Sequence, residues 1–367
     1  MDQSVSPEST ATDTTVDLDV LMLPLPGSYE DELVSELEAR GVEVRTNDGY
    51  FKILRGLAGG RPDVVHLHFL GFFISRTQYQ TALVPLVFGA RLLVELVVAR
   101  LLGVRIVWTV HDLVHHEATH PRIEKAYRHV AVRLCHRLIV HCDTAEQLIV
   151  DAYRLPDRMR DRIRIVPHGN YLPRYPDEVS RKEARDRLDI DPDARVFLFF
   201  GHIRPYKNVA ELIETFRELD APDARLLVVG NPFDEGIERR VASLADADER
   251  VRTVLEFVPD EDVQLYFRAA DVVTLPFAFE SALTSGSVIL GMTFERAVLA
   301  PTCGCTAELL DERGGFPYDP DDSEGLRREL GTALTADLTG MGEHNFDAVK
   351  PLDWRWIADR TIRVYRD

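Results

Sequence analysis

Short apolar runs alternate with helix-period segments in two successive series, and this alternation constrains the chain more than any other feature. In the first series, strand-like runs at 19–23, 64–69, 105–110, 137–141 and 163–166 are separated by helical patterns at 29–40, 87–102, 123–135 and 144–153. The second series has runs at 196–201, 225–230, 251–254, 272–275 and 298–300, with helical patterns at 209–219, 235–244, 260–270, 286–292 and 323–334. Alternation of this kind predicts parallel sheets wrapped by helices, because a parallel strand pair needs a crossover long enough to hold a helix. Between the series, residues 171–190 are rich in Pro and charge and read as an interdomain linker ending in one helix. A chain of 367 residues accommodates two such units. Ligands of these sheets sit beyond the carboxyl ends of the strands, so chemistry is expected in the cleft between the units.

Composition narrows the function. With 43 Lys+Arg against 61 Asp+Glu the formal charge is −18, which argues against phosphate-tracking nucleic-acid binding. The hydrophobic fraction of 45% and charged fraction of 28% exclude a wholly disordered chain. Residues 1–15 lack the basic and apolar regions of a secretory signal and read as an acidic disordered tail. Cys135, Cys142, Cys303 and Cys305 form no metal-type pair, and a core this large needs no disulfide framework. A reducing, cytoplasmic setting is therefore expected. Lys52, Lys125, Lys182, Lys207 and Lys350 are the only lysines; the Arg and Asp bias with the acidic excess reads as salt adaptation.

The stretch 81–110 is apolar enough to suggest a membrane span, but Arg91, Glu95 and Arg100 fall within it at helical spacing. Each would cost roughly 2.5–3.5 kcal/mol at a bilayer centre. A largely buried helix at 87–102 followed by Gly103 and a strand is the expectation, with one face, near Phe72, Phe73 and Phe88, available to a membrane surface.

The run VFLFFGHIRPYKNVAELIETF leads from a strand to Gly201, then Arg204 and Lys207, then a helix. It resembles the opening of the donor-binding domain of GT-B fold glycosyltransferases, in particular the family 4 (group 1) type. The likeness continues through DARLLVVGNP, VPDEDVQLYFRAADVVTLPF and ESALTSGSVILGMTFERAVLAPTCGCTAELL. It implies an α/β GT-B fold of two Rossmann-like domains, with Arg204 and Lys207 clamping the diphosphate of a nucleotide-sugar. Independently of the family, two fixed cations can stabilise the charge that develops on a diphosphate leaving group without a metal. Many relatives carry two glutamates eight residues apart; the matching positions are Ala282 and Leu290, and Glu280 lies two residues out of register. Thr284, Ser285, Gly286 and Ser287 replace that motif at a helix start, where free N–H groups favour an anion and the hydroxyls make good N-caps. The resemblance gives Glu308 the ribose contact and gives the Cys303–Cys305 loop a role in backbone geometry near the donor.

In the first domain, RPDVVHLHF and RIVWTVHDLVHHE resemble the acceptor half of the same family, where a His after a strand reaches the donor sugar. The matching residue is His111, and Glu117 on the same loop is the candidate for binding or deprotonating the acceptor hydroxyl. His116 and His120 have the i,i+4 spacing of a zinc site, but the H-E-x-x-H order is missing and no metal is expected. His66 and His68 alternate along a strand, so one should face the core. The closing DWRWIADRTIRVYRD resembles the family's C-terminal helix crossing back onto the first domain, with Trp354, Trp356, Ile357, Ile362 and Tyr365 as its packing face.

These readings divide the chain into a tail at 1–15, an acceptor domain at 16–170, a linker at 171–190, a donor domain at 191–345 and a returning helix at 346–367. They imply a hexosyltransferase with no resident cofactor and no metal requirement, using a UDP- or GDP-hexose as co-substrate. The implied acceptor is a lipid-linked saccharide of dolichol type, met at the inner face of the cell membrane in surface-glycan or N-glycan assembly. Two alternatives share the frame: a nucleotide-sugar epimerase, and a non-catalytic scaffold subunit.

Overall fold

The computed structural model describes residues 16–24, 27–47, 51–74, 81–115, 118–277 and 283–367. Twelve strands form two six-stranded, all-parallel sheets. The first unit contributes β1 (Leu18–Leu23), β2 (Val42–Arg45), β3 (Val64–Leu67), β4 (Arg105–Thr109), β5 (Arg137–Val140) and β6 (Ile163–Ile165), in the order β2-β1-β3-β4-β5-β6. The second contributes β7 (Arg195–Phe200), β8 (Ala224–Val229), β9 (Val251–Val254), β10 (Val272–Thr274), β11 (Ala297–Pro301) and β12 (Gly315–Tyr318), in the order β12-β11-β10-β7-β8-β9. That order reverses at β7/β10 in the second sheet and at β1/β3 in the first, and such switch points open the crevices in which ligands bind.

The central strands are near-continuous apolar runs because helices cover both faces of each sheet. Phe197, Leu198 and Phe199 of β7 and Val228 and Val229 of β8 are fully buried in the second core. The first sheet has a core on each face: one beneath helix Leu83–Leu101, the other beneath the closing helix Trp354–Arg366. That closing helix buries Trp354, Ile357, Ile362 and Tyr365 against Val20, Met22, Val107 and Ile139, while Trp356 stays half-buried with Arg360 stacked on it. Trp354 donates to the Asn170 carbonyl at 2.6 Å, and a Cβ on Gly169 would lie 2.4 Å from the indole, so only glycine lets the chain pass there. Helix Trp354–Arg366 is thus fastened to the first sheet.

Two strands escape the alternation pattern, β2 and β12, and each is the edge of its sheet. Each is four residues long, and β12 carries Pro317, which an edge tolerates. The apolar helix is longer than its periodicity suggests, Leu83–Leu101, with Glu95 fully buried, its Oε2 accepting the Ile53 N–H at 2.8 Å while Arg91 lies 3.1 Å from its other oxygen. Among the described residues no helix is long and apolar enough to cross a membrane.

One expectation is overturned. Cys142 and Cys305 form a disulfide joining the two units across a sequence separation of 163. Cys142 caps helix Asp143–Tyr153 after β5, and Cys305 precedes helix Thr306–Leu309 after β11; closure of the cleft brings these two loops together. The absence of a CxxC spacing carries no information about such a pair, and the argument from cysteine usage to a reducing setting loses its premise.

Candidate active site

The loop after β7 and the helix start after β10 meet at the switch point of the second sheet. Gly201 adopts φ +126°, and a Cβ added there would lie 3.3 Å from Lys207 Nζ and 3.5 Å from Ser287 Oγ. The bare backbone lets the ammonium, the hydroxyl and the end of β7 crowd one spot, as close approach to a phosphate requires. Burial and the neighbouring Arg204 charge hold the Lys207 ammonium down, to about 8. Arg204 stacks over Phe233 at 4.6 Å, which positions the guanidinium without neutralising it. Ser285 caps helix Gly286–Thr293 by accepting the Val288 N–H, leaving other N–H groups of the first turn pointing toward the same region. Gly201, Arg204, Lys207 and the Thr284–Ser287 segment are therefore gathered at one crevice.

Between the units lies a cavity of about 220 Å³, bordered by Thr284, Ser285 and Glu308 on one side and His141 and His168 on the other. The Glu308 carboxylate accepts the Thr144 N–H at the start of helix Asp143–Tyr153, so it spans the two units. Leu283 N–H donates to the His111 carbonyl at 3.2 Å, a second tie between the units.

The opposite wall is a set of histidines. Each of β3, β4, β5 and β6 is followed within three residues by a histidine: His68, His111, His141 and His168. All four rings pack edge-on around Tyr29 with centroids 4.9–5.8 Å away. A hydrogen-bond chain runs through three of them. His141 Nδ1–H donates to the Val166 carbonyl at 2.8 Å, so its Nε2 accepts from His111 Nδ1–H at 3.4 Å, and His111 Nε2 faces His68 Nδ1 at 3.1 Å. Burial keeps the imidazoles neutral, holding His141 at about 4, His168 at about 3, and His68 and His111 well below the usual range. Glu30, in the first turn after β1, faces the same chain, and burial lifts its carboxyl to about 8 against the opposing pull of backbone hydrogen bonds at Glu30 and Gly27.

His111 thus lies beside the cavity-lining His141, while Glu117 and Glu280 lie outside the described residues, as does His116. His120 caps helix Pro121–Leu134. His66 faces the core, as the alternation implies, bonding Tyr365 Oη and Thr109 Oγ1, each at 2.8 Å, and His68 is buried as well. Sequence reasoning missed Tyr29, Glu30, His141 and His168. The available signal was the recurrence of histidine directly after four consecutive strands.

Comparison with known proteins agrees with this geometry. Residues 194–336 match the family described as Glycosyl transferases group 1. A GDP-mannose:glycolipid 4-beta-D-mannosyltransferase from Xanthomonas campestris pv. campestris is 27% identical over 313 residues, covering 83% of this chain and 80% of the relative. A D-inositol 3-phosphate glycosyltransferase from Geodermatophilus obscurus is 30% identical over 274 residues, 70% of this chain and 55% of that protein. Among solved structures, sucrose-phosphate synthase from Thermosynechococcus elongatus superposes with a TM-score of 0.72 at 18% identity, over 95% of this chain and 98% of the other. Anabaena HepE in complex with UDP and glucose superposes at 0.66 with 16% identity, over 94% and 98%.

The protein is a glycosyltransferase built on the GT-B fold. More narrowly, its second unit is a group 1 glycosyl transferase domain, and the family 4 type is consistent with the whole.

Proposed function

We propose that the protein transfers a hexosyl group from a UDP- or GDP-sugar to a lipid-linked saccharide. The observation that carries this reading is the meeting of Gly201, Lys207 and Ser287 at the β7/β10 switch point, beside Arg204. Two cations and a helix start supply the charge that a departing nucleoside diphosphate needs, so no metal is required at the diphosphate. On this reading Thr284–Ser287 take phosphate oxygens, Glu308 borders the ribose, His111 borders the sugar and Glu117 meets the acceptor hydroxyl. Closure of the two units excludes water and limits hydrolysis of the donor.

The acceptor side is supported by helix Leu83–Leu101. Its outer face carries Leu83, Val87, Val94 and Leu101, exposed at 68, 56, 58 and 81%, a stripe suited to the lipid interface. The Xanthomonas relative acts on a glycolipid with GDP-mannose, which makes GDP-mannose the first donor to try. We place the work at the cytoplasmic face of the cell membrane, in surface-glycan or N-glycan assembly of a salt-adapted prokaryote.

Thermal shift in high salt with GDP-, UDP- and dTDP-sugars, with and without a chelator, tests the donor assignment. A donor at about 100 times its dissociation constant adds roughly 2.7 kcal/mol of stability. Stabilisation by one nucleotide series that survives the chelator supports the reading; none in any series refutes it. A sugar nucleotide altered without any acceptor indicates an epimerase. Co-sedimentation with anionic lipid vesicles, abolished by Leu83→Ser with Leu101→Ser, tests the membrane face.

A further inference from the structure

We propose that Glu30, His68 and His111 form a binding site for one divalent transition-metal ion of the zinc class, on the first unit and separate from the diphosphate crevice. Glu30 Oε1, His68 Nδ1 and His111 Nε2 make a compact triangle with sides of 3.4, 3.9 and 3.1 Å. Zinc bound to nitrogen and carboxylate oxygen at about 2.0–2.2 Å in a tetrahedron sets ligand–ligand edges of about 3.3–3.6 Å, so one ion fits among these three atoms. They all lie within 4.8 Å of one another.

A second, independent observation points into the triangle. The Glu30 side chain is 1% exposed and its Oε1 accepts no hydrogen bond, an arrangement that ordinarily costs a folded protein stability. A cation at the centre supplies the missing partner for that oxygen. The surroundings fit a metal centre as well. His111 donates its remaining N–H to His141, which is itself anchored on the Val166 carbonyl, and such an outer partner fixes the tautomer and aim of a ligating imidazole. Burial already holds both ligating imidazoles neutral, the state a metal requires, while the Glu30 carboxyl, lifted to about 8, gives up its proton to solvent when the ion binds.

The location is one where ligands gather. Glu30 follows β1 and His68 follows β3, so the pair flanks the switch point of the first sheet. Imidazole nitrogens with one carboxylate suit zinc and neighbouring transition metals rather than magnesium or calcium, which take oxygen ligands. Three protein donors leave a fourth position for water or a substrate oxygen. The inference shares His111 with the proposed sugar contact but concerns no residue of the Arg204 and Lys207 crevice, and its readout is bound metal, not turnover.

The test uses the full-length protein stripped with a chelator, loaded with zinc or cobalt(II) and desalted. Expected are one retained equivalent per chain, a cobalt spectrum of four- or five-coordinate type, and a higher melting temperature with zinc but not with magnesium. Glu30→Gln and His68→Gln should each lose the retained ion. His141→Gln, which removes only the outer partner, should weaken affinity about 10–100-fold, and His129→Gln should change nothing. Failure of the unaltered protein to retain an ion overturns the proposal without reference to any variant. Undiminished retention by folded Glu30→Gln overturns it too, because the ion then sits elsewhere.

Discussion

The two walls of the cleft are built from opposite electrostatic materials. On the first unit, histidines from four successive strand ends and a carboxyl from the first helix are buried and uncharged near neutral pH, with three of the rings joined by hydrogen bonds. On the second unit, Arg204, Lys207 and the helix-start hydroxyls are only partly covered, and Lys207, held down to about 8, is still charged near neutral pH. On the proposed reading, the difference matches what each wall would meet. A diphosphate carries charge that fixed cations offset, whereas a sugar offers neutral hydroxyls that orient on uncharged donors and acceptors. The same strand-end position in two related sheets has been filled with chemistry of different sign.

The largest expected effect breaks the charged wall alone. Arg204→Ala with Lys207→Ala should lower turnover about 10³-fold, about 4 kcal/mol of transition-state stabilisation, while the melting temperature without donor stays near that of the parent. Steady-state rates with the donor identified by thermal shift check this, and near-parental rates would remove the cations from the mechanism.

The neutral wall should announce itself in acid. His66 and His168, at about 3, and His141, at about 4, titrate in the folded protein below the usual value of about 6.5, so the unfolded chain binds protons that the folded one refuses. The histidine contribution to stability is therefore full above pH 6.5 and falls as pH drops toward 4, by about 1.4 kcal/mol per pH unit for each histidine, with the raised Glu30 carboxyl opposing it by about one histidine's share. Denaturant melts between pH 7 and 4.5 measure the slope, and a flat profile would mean the rings are not buried neutral. Next in size is the bridge between the walls. Reducing Cys142–Cys305, or replacing Cys142 by Ser, should cost about 2–4 kcal/mol of stability. Mass spectrometry of alkylated protein that finds both thiols free would deny the pairing.

The smallest effect sharpens the contrast from the alkaline side. Lys207 loses its proton at about 8, so donor affinity should hold below that pH and fall about tenfold per unit above it. Lys207→Arg should flatten the profile, because a guanidinium stays charged throughout. Donor dissociation constants from pH 7 to 9.5 decide between the two outcomes.

Much of the frame was legible because buried parallel strands must be apolar and must be separated by helices. Ten of the twelve strands announced themselves this way. The two that did not, β2 and β12, are four-residue edge strands whose apolar runs are interrupted, by Glu43 and Arg45 in one and by Gly315 and Pro317 in the other. The charged wall was legible too, since Arg204 and Lys207 follow one strand within seven residues and their local spacing is preserved in the fold. His111 was reached by resemblance, but its partners were not: His68, His141 and Glu30 lie 43, 30 and 81 residues away along the chain, and nothing local marks them as neighbours.

By itself the sequence determined the class of architecture, the tandem division, the closing amphipathic helix and the cations at the second switch point. Each depends on periodicity or short spacing, which local stereochemistry translates directly into structure. Tertiary structure alone decided the Cys142–Cys305 bridge, the ring of histidines about Tyr29 and the Glu30–His68–His111 triangle. These depend on which strand ends lie side by side and on how two units close on each other. Strand order and closure are set by burial summed over both cores, a collective quantity that no single segment of the chain contains.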